Sequence, residues 1–244
     1  MTDRVYPAVI VIVKLLWRYL GLKFTIKGSE HVPRSGGAIM AINHIGYLDF
    51  AISGTAALPA KRYVRYMAKK EIFNDKIAGP LMRGMHHISV DRESGSASFV
   101  AALRALKAGE IVGIFPEATI SKSFEIKGMK SGAARLAIGA NVPVLHTIVW
   151  GSQRIWTKGR KRDFRRNKYP ISIYIGEPLL FTRETDVEIA EREIKNALEK
   201  LLRQVQDEYP DAHRGQWWAP ARLGGTAPTL EEVDQERRER PERG

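Results

Sequence analysis

Residues 38–49 read AIMAINHIGYLD, and they decide the fold more clearly than any other part of the chain. The first five residues are apolar and follow the pair Gly36-Gly37, a pattern that predicts a buried strand. A short polar turn comes next, and a helix is expected from Asp49 onwards. A strand that passes through a polar loop directly into a helix is typical of α/β proteins.

The same stretch places His44 five residues before Asp49. A neutral imidazole accepts a proton from an alcohol near neutral pH, and a carboxylate on its other nitrogen fixes the tautomer and stabilises the imidazolium. The chain has no cysteine and no Gly-x-Ser-x-Gly nucleophile turn. A catalytic pair here would therefore activate a hydroxyl group of the substrate. The alternative for the pair alone is a helix N-terminus with a satisfied polar residue.

A second group of polar residues follows another predicted strand. Residues 110–115, EIVGIF, are rich in β-branched and apolar side chains, and Pro116 ends the strand. Glu117, Thr119 and Ser121 then alternate in a polar loop. Open α/β sheets place their ligand sites in loops at the carboxyl ends of strands. The alternative is an ordinary turn at the end of a strand.

The two segments together resemble the signature of the glycerolipid acyltransferases, the 1-acylglycerol-3-phosphate acyltransferase group. That signature has an Asn-His-x4-Asp block, a block ending in arginine, a Phe-Pro-Glu-Gly-Thr block and a Val-Pro-hydrophobic block, in this order. The matching blocks in this chain are residues 43–49, 84–92, 115–119 and 142–146. Four blocks in the right order and spacing form a specific signal, which no single block would give.

The resemblance implies acyl transfer from an acyl thioester, of coenzyme A or acyl carrier protein, to the free hydroxyl of a lysophospholipid. The expected acceptor is 1-acyl-sn-glycerol-3-phosphate, which gives phosphatidic acid. The expected catalytic residues are His44 and Asp49, and neither a metal nor a cofactor is expected. The residues expected to hold the acceptor's glycerol or phosphate end are Arg92, Glu117, Thr119, Lys69, Lys70 and Lys122.

Three residues depart from the family pattern: Ala118 replaces a glycine, Ile120 an arginine and His146 a proline. Ala118 argues against a positive φ at its position, since glycine is the usual residue there. Ile120 removes a guanidinium that binds phosphate through two parallel hydrogen bonds, which a lysine replaces only in part. The identity of the acceptor therefore stays open. Glu117 would repel a phosphate, and we expect it to bond a hydroxyl or to pair with Arg92.

Residues 1–22 are expected to form a helix at a membrane interface. Residues 8–13 are apolar, and Lys14 and Arg18 interrupt the pattern that follows. A helix over residues 6–20 spans about 22 Å, which is short of the hydrocarbon core of a bilayer at about 30 Å. Cationic and aromatic side chains suit a helix that lies in the interface. The alternative is a terminal helix that covers the core of the protein.

The charge of the chain favours anionic partners. The formal net charge is +12, and residues 158–168 hold seven lysines and arginines. This density attracts anionic lipid headgroups, so we predict a peripheral, monotopic membrane protein at the cytoplasmic face, with an anionic membrane surface as its partner. Nucleic acid is not an expected partner, because no binding motif or aromatic stacking platform accompanies the cations. The lack of cysteine is consistent with the cytosol.

The remaining pattern alternates strands with helices. It predicts a single α/β domain with a mostly parallel or mixed sheet flanked by helices. Helices are expected over residues 94–108 and 131–140. A long amphipathic helix is expected over residues 186–209, where it would cover the sheet or one edge of the domain.

The expected domain bounds follow from these elements and from composition. The acyltransferase domain covers residues 23–210, after the interfacial helix over residues 1–22. Residues 211–244 form a C-terminal tail that is expected to be partly disordered, because its end is rich in charge. Two alternatives remain for the function: an acyltransferase with a different lysolipid or glycolipid acceptor, and a non-catalytic membrane-binding homologue.

Overall fold

Seven strands form the central sheet in the computed structural model, which describes residues 3–91 and 95–239. They are β1 (Lys23–Lys27), β2 (Ala38–Ile42), β3 (Val64–Lys69), β4 (Ile88–Val90), β5 (Ile111–Ile114), β6 (Val144–Trp150) and β7 (Pro170–Ile175). Their order across the sheet is β1-β7-β6-β2-β5-β3-β4. Strands β2 to β6 run parallel to one another, and β7 is antiparallel to β6. The sheet is therefore mixed.

Helices cover both faces of the sheet. Within the described residues they are α1 (Val5–Leu20), α2 (Asp49–Thr55), α3 (Lys70–Asn74), α4 (Ala78–Gly84), α5 (Gly95–Lys107), α6 (Gly132–Ala140), α7 (Val187–Asp207) and α8 (Leu230–Glu239). The core on one face includes α5, α6 and α7, and the core on the other includes α1 and α2. Every residue of β2, β5 and β6 is buried as a result. The predicted α/β domain is confirmed.

The predicted helices are present with small shifts at their ends. Helix α6 begins one residue later than the sequence predicts, and α5 is described from Gly95 onwards. Helix α7 begins after Asp186, whose carboxylate accepts the backbone N–H groups of Glu188 and Ile189 at 2.8 and 3.1 Å and so caps the helix. Its buried side packs on β6, which agrees with the covering role expected from its amphipathic pattern.

The carboxyl ends of four neighbouring strands, β2, β5, β3 and β4, meet at one edge of the sheet. The chain leaves β2 towards α2 on one face and leaves β5 towards α6 on the other face. Open α/β sheets bind ligands where the loops of neighbouring strands leave to opposite faces in this way. The two loops are in contact, since the backbone N–H of Ser121 donates to the carbonyl oxygen of His44 at 2.7 Å.

The segment that follows α7 packs back on the domain. Trp218 belongs to the core that includes α7, its carbonyl oxygen accepts Nε2 of Gln153 at 3.1 Å, and Arg154 lies 4.5 Å from its ring centroid. The sequence places this segment in a partly disordered tail over residues 211–244, of which the last five lie outside the described residues. The domain bounds stay predictions.

No helix in residues 3–91 or 95–239 is long and apolar enough to cross a membrane. Helix α1 packs one side on the core and exposes its other side. Trp17 and Leu20 are buried, whereas Ile12, Leu15 and Tyr19 are each more than half exposed. One side of α1 therefore covers the core, and its opposite side leaves apolar side chains uncovered.

Candidate active site

His44 and Asp49 meet at the carboxyl end of β2. Nδ1 of the His44 ring lies 3.0 Å from Oδ2 of Asp49. The Asp49 side chain is fully buried, whereas 21% of the His44 side chain is exposed. Because an ionised carboxylate only accepts hydrogen bonds, this contact assigns the ring proton to Nδ1. The lone pair of Nε2 is then left to accept a proton from a substrate.

Four donors hold the Asp49 carboxylate. Its Oδ2 atom accepts the backbone N–H groups of Ile45 and Gly46 at 2.7 and 2.8 Å, in addition to the bond from His44. Its Oδ1 atom accepts the hydroxyl of Ser152 at 2.5 Å. A buried carboxylate stays ionised only when hydrogen bonds replace its lost hydration. These four donors replace the hydration that burial removes from the Asp49 carboxylate and fix its orientation beside the imidazole.

Two further residues shape the site without having been predicted to do so. Ser152 follows β6 and lies in an ordinary Gly-Ser turn, 103 residues from Asp49, so nothing in the sequence connects the two. Asn43 precedes His44, and its side-chain amide pairs with the backbone of Val149: Nδ2 donates to the carbonyl oxygen at 3.0 Å, and Oδ1 accepts the N–H at 2.7 Å. Asn43 thereby fixes the end of β2 to β6.

An aromatic ring backs the imidazole. Phe115, which follows β5, stacks on His44 with 4.3 Å between the ring centroids and 30° between the planes. The ring of Tyr66 on β3 stacks on Phe115 in turn, at 6.3 Å. The imidazole of His44 is therefore held between a carboxylate and an apolar wall, which restricts its orientation.

Glu117 supports His44 through the backbone. Its Oε1 accepts the N–H of His44 at 2.8 Å, and its Oε2 accepts the N–H of Lys127 at 3.2 Å. The residue is only 5% exposed, and burial raises the pKa of its carboxyl to about 7 despite these two hydrogen bonds. The sequence predicts an acceptor hydroxyl or Arg92 as its partner. The structure instead gives both oxygens backbone donors, His44 from the loop after β2 and Lys127 from the same loop as Glu117.

The backbone of this loop contradicts one expectation. Ala118 has a φ of 60°, in the left-handed region that favours glycine. The expectation that alanine excludes a positive φ here is therefore wrong. The N–H of Ala118 donates to Phe115 at 2.9 Å and the N–H of Thr119 donates to Glu117 at 2.8 Å, so the loop imposes a conformation that costs alanine roughly 1–2 kcal/mol.

The other residues of this loop already have partners in the protein. The Lys127 ammonium donates to the hydroxyl of Thr119, and the Lys122 ammonium lies 2.5 Å from a carboxylate oxygen of Glu236 in α8. Ile120 is buried, so the side chain at the position of the family's arginine packs inside the protein. An acceptor that binds Thr119 and Lys122 has to share or displace these contacts.

Strands β3 and β4 bring the remaining predicted residues to the same edge of the sheet. Lys69 ends β3, which pairs with β4, and Lys70 donates to Asp91 at 2.9 Å. Arg92 follows Asp91 in the sequence and lies outside the described residues. Across the sheet the order of these strands is β2-β5-β3-β4. The loop of Glu117, which follows β5, therefore lies between the loop of His44, which follows β2, and the segment of Lys69 and Lys70, which follows β3.

A shallow apolar groove, with a cavity volume of about 60 Å³, lies between α1, α2 and β3. Phe50 and Tyr66 belong to its wall, and Tyr66 stacks on Phe115 behind His44, so a row of rings joins the groove to the imidazole. His87 also lines it and accepts the N–H of Tyr66 at Nδ1. Burial lowers the pKa of His87 to about 4, so this imidazole is neutral at pH 7.

The fold and the site together define a class of protein. It is an α/β protein whose sheet presents a histidine, hydrogen-bonded to a buried aspartate, at the carboxyl end of β2 beside an apolar groove. Among the side chains described, no group of three or more His, Cys, Asp or Glu could hold a metal ion. The model of the acyltransferase family matches residues 23–150, and the chain belongs to that family.

Named relatives confirm the predicted resemblance to the 1-acylglycerol-3-phosphate acyltransferase group. The 1-acyl-sn-glycerol-3-phosphate acyltransferase of Bacillus subtilis is 34% identical over 155 residues, which cover 63% of this chain and 72% of that protein. The protein of the same name from Limnanthes douglasii is 30% identical over 170 residues, 68% of this chain but only 57% of that protein.

A solved structure shares the fold. The crystal structure of the 1-acyl-sn-glycerophosphate acyltransferase PlsC from Thermotoga maritima superposes with a TM-score of 0.64 at 18% sequence identity. The alignment covers 82% of each chain. The mixed sheet and its flanking helices are therefore an architecture that this family uses.

Proposed function

We propose that this acyltransferase moves a fatty acyl group from an acyl thioester to the free hydroxyl of 1-acyl-sn-glycerol-3-phosphate, giving phosphatidic acid. The single observation that carries the chemistry is the His44–Asp49 pair, which leaves Nε2 of the imidazole open to a substrate hydroxyl. The names of the relatives from Bacillus and Limnanthes support the choice of acceptor.

In the proposed reaction, Nε2 of His44 takes the proton from the acceptor hydroxyl as that oxygen attacks the thioester carbonyl carbon. The C–S bond then breaks, and the thiol leaves with a proton. Asp49 holds the imidazole in its Nδ1–H tautomer and stabilises the imidazolium that forms. The attacking oxygen belongs to the acceptor, so the reaction needs no acyl-enzyme and no cofactor.

Glu117 acts in this proposal by holding the loop of His44. Its carboxylate binds the N–H of His44 and the N–H of Lys127, so it ties the loop after β2 to the loop after β5. A base must stand within hydrogen-bond reach of the proton that it takes. Loss of this tie would move the imidazole relative to the acceptor.

The acceptor's phosphate is assigned to the carboxyl ends of β5, β3 and β4. Thr119 and Lys122 lie on the loop after β5, Lys69 and Lys70 follow β3, and Arg92 follows β4 in the sequence. Cations in a crevice with apolar walls attract and neutralise a phosphate more strongly than in open water. This arrangement would leave the glycerol hydroxyl towards His44.

The acyl chain of the donor is assigned to the apolar groove. Its walls come from α1, α2 and β3, and it is joined to His44 through the rings of Tyr66 and Phe115. Each methylene group that this groove buries would contribute about 0.8 kcal/mol to binding, whether the thioester belongs to coenzyme A or to acyl carrier protein.

A membrane surface would supply the lipid acceptor. The outer side of α1 exposes Ile12, Leu15 and Tyr19. The basic loop over residues 158–168 adjoins the end of this helix, because the N–H of Lys168 donates to the carbonyl oxygen of Leu20 at 3.2 Å. Apolar side chains beside a dense positive charge suit a monotopic attachment to an anionic cytoplasmic membrane face.

A second candidate acceptor is another lysolipid or a glycolipid. The observation that favours it is Ile120, which is buried at the position where the family carries a phosphate-binding arginine. A headgroup bound mainly through hydroxyl groups would not need that guanidinium.

Product identification decides between the two acceptors. The purified protein is incubated with palmitoyl-CoA and, in separate reactions, lysophosphatidic acid, lysophosphatidylcholine, lysophosphatidylglycerol and a glycolipid, and the products are identified by mass spectrometry. We expect phosphatidic acid to form with the highest kcat/KM. A higher kcat/KM with one of the other acceptors would replace the proposed substrate, and no acylated product at all would favour a non-catalytic role.

A further inference from the structure

Ser152 is a buried serine outside the four signature blocks. It follows β6, is fully enclosed, and its hydroxyl donates to Oδ1 of Asp49 at 2.5 Å. We propose that Ser152 is a positioning residue of the acyl-transfer site, which fixes the rotation of the Asp49 carboxylate so that Oδ2 faces Nδ1 of His44. This inference rests on the proposed function, in which His44 is the base.

The two oxygens of the Asp49 carboxylate differ in the number of hydrogen bonds that they accept, and the role of Ser152 follows from this difference. Oδ2 accepts the N–H groups of Ile45 and Gly46 and the ring N–H of His44. Ser152 is the donor that the described structure shows for Oδ1. Rotation of a carboxyl group about its bond to Cβ meets only a low barrier. Without Ser152, Oδ1 loses the donor that the structure shows for it, and the carboxylate can pivot about this bond to share the backbone donors between its two oxygens, which loosens the contact of Oδ2 with His44.

The turn that carries Ser152 is rigid enough to position a hydroxyl. Gly151 has a φ of 97°, and a Cβ at this residue would stand 2.3 Å from the carbonyl oxygen of Pro170. The N–H of Gly151 donates to Oε1 of Gln153 at 2.9 Å, and Nε2 of Gln153 donates to the carbonyl oxygen of Trp218 at 3.1 Å. The segment after α7 thereby holds the turn from outside the site.

The approach of Ser152 to Asp49 also depends on Gly46. A Cβ at Gly46 would lie 3.1 Å from Oγ of Ser152 and 3.3 Å from Oδ1 of Asp49. The glycine therefore leaves room for the hydroxyl and the carboxylate to meet. Hydrogen bonds therefore connect the ends of three strands. Ser152 after β6 bonds Asp49, Asp49 bonds His44 after β2, and Glu117 after β5 accepts the backbone N–H of His44.

The test compares the Ser152→Ala and Ser152→Gly variants with the wild-type protein in acyl transfer to lysophosphatidic acid. Both variants should lower kcat on the order of tenfold, which corresponds to about 1.4 kcal/mol of the activation barrier, with KM within about twofold. Ser98→Ala is the matched control. Ser98 is also buried, but its hydroxyl donates to the carbonyl oxygen of Gly95 in α5, so kcat should stay at the wild-type value.

A second readout does not depend on the substrate. In protein labelled with ¹⁵N at its six histidines, the proton on Nδ1 of His44 reports its hydrogen bond to Asp49. Both Ser152 variants should shift or broaden this signal, and Ser98→Ala should not. A wild-type protein that fails to acylate lysophosphatidic acid would refute the proposed acceptor while the Nδ1 signal still tests Ser152. Wild-type kcat, or an unchanged Nδ1 signal, in folded Ser152 variants would overturn the inference.

Discussion

Replacement of Glu117 by glutamine tests the loop contact that holds His44. The substitution preserves the size of the side chain and one oxygen acceptor. It removes the second acceptor and places an NH₂ group opposite a backbone donor, because Glu117 accepts from both His44 and Lys127. It also removes the ionisation of a buried carboxyl, and that change makes a prediction about how stability depends on pH.

The sign and size of the effect follow from the pKa of Glu117. Burial raises this pKa from the ordinary value of 4.5 to about 7. Between these pH values the folded protein retains a proton that the unfolded chain has released, so the free energy of unfolding falls as the pH rises through the interval. A difference of about 2.5 between the two pKa values corresponds to about 3 kcal/mol, at 1.36 kcal/mol for each pH unit.

Buried histidines act in the opposite direction. Burial lowers the pKa values of His87 and His146 to about 4. These side chains therefore add stability as the pH rises from about 4 towards 6.5. The wild type and the Glu117→Gln variant both contain these histidines, so their contribution cancels in the difference between the two free energies of unfolding.

The assay is urea unfolding of both proteins at half-unit steps from pH 5 to pH 8. The stability of the wild type relative to Glu117→Gln should fall by about 3 kcal/mol at most across this range, with most of the change complete at pH 7. Asp75→Asn is the control, because the Asp75 carboxyl lies at the surface and hydrogen bonds lower its pKa. The stability of the wild type relative to Asp75→Asn should therefore not fall as the pH rises. A constant difference between wild type and Glu117→Gln would refute the buried, proton-retaining carboxyl.

Three further predictions concern binding. Arg92→Ala should raise KM for lysophosphatidic acid about tenfold with little change in kcat, and an unchanged KM would place the phosphate elsewhere. The double variant Ile12→Asp/Leu15→Asp should sediment less with anionic liposomes than the wild type. The control Val100→Asp, which changes an exposed residue of α5, should sediment as the wild type does. Equal binding by the wild type and both variants would mean that α1 only covers the core. Ala51→Phe, which fills part of the groove, should reduce kcat/KM for palmitoyl-CoA more than for octanoyl-CoA, and equal losses would place the acyl chain elsewhere.

The contacts that the sequence predicted are those that parallel strands enforce. His44 and Asp49 are separated by one turn before a helix, so their contact is local. Glu117 lies 73 residues from His44, yet both follow buried strands whose carboxyl ends meet at one edge of the sheet. The apolar runs before them predicted the two strands, and the family resemblance implied that both loops serve one site, although the structure gives Glu117 the backbone N–H of His44 as its partner.

The contacts that could not be predicted depend on loop conformation and on distant turns. Ser152 reaches Asp49 only because β6 lies beside β2 and because Gly151 directs the chain back over the site. Ala118 adopts a positive φ because its neighbours' hydrogen bonds impose it, and residue preference alone gives the opposite expectation. Trp218 is held by a hydrogen bond from Gln153 to its carbonyl oxygen and by a cation–π contact with Arg154, and no periodic pattern in the sequence reveals either.

The central claim is direct acyl transfer with His44 as the base, and thiol release from palmitoyl-CoA measures it most directly. We predict release that depends on added lysophosphatidic acid, without a burst in its absence, and that is lost in a folded His44→Ala variant. Acceptor-dependent release that persists in His44→Ala would contradict the role of His44. A stoichiometric burst without acceptor would contradict direct transfer, because it would reveal an acyl-enzyme.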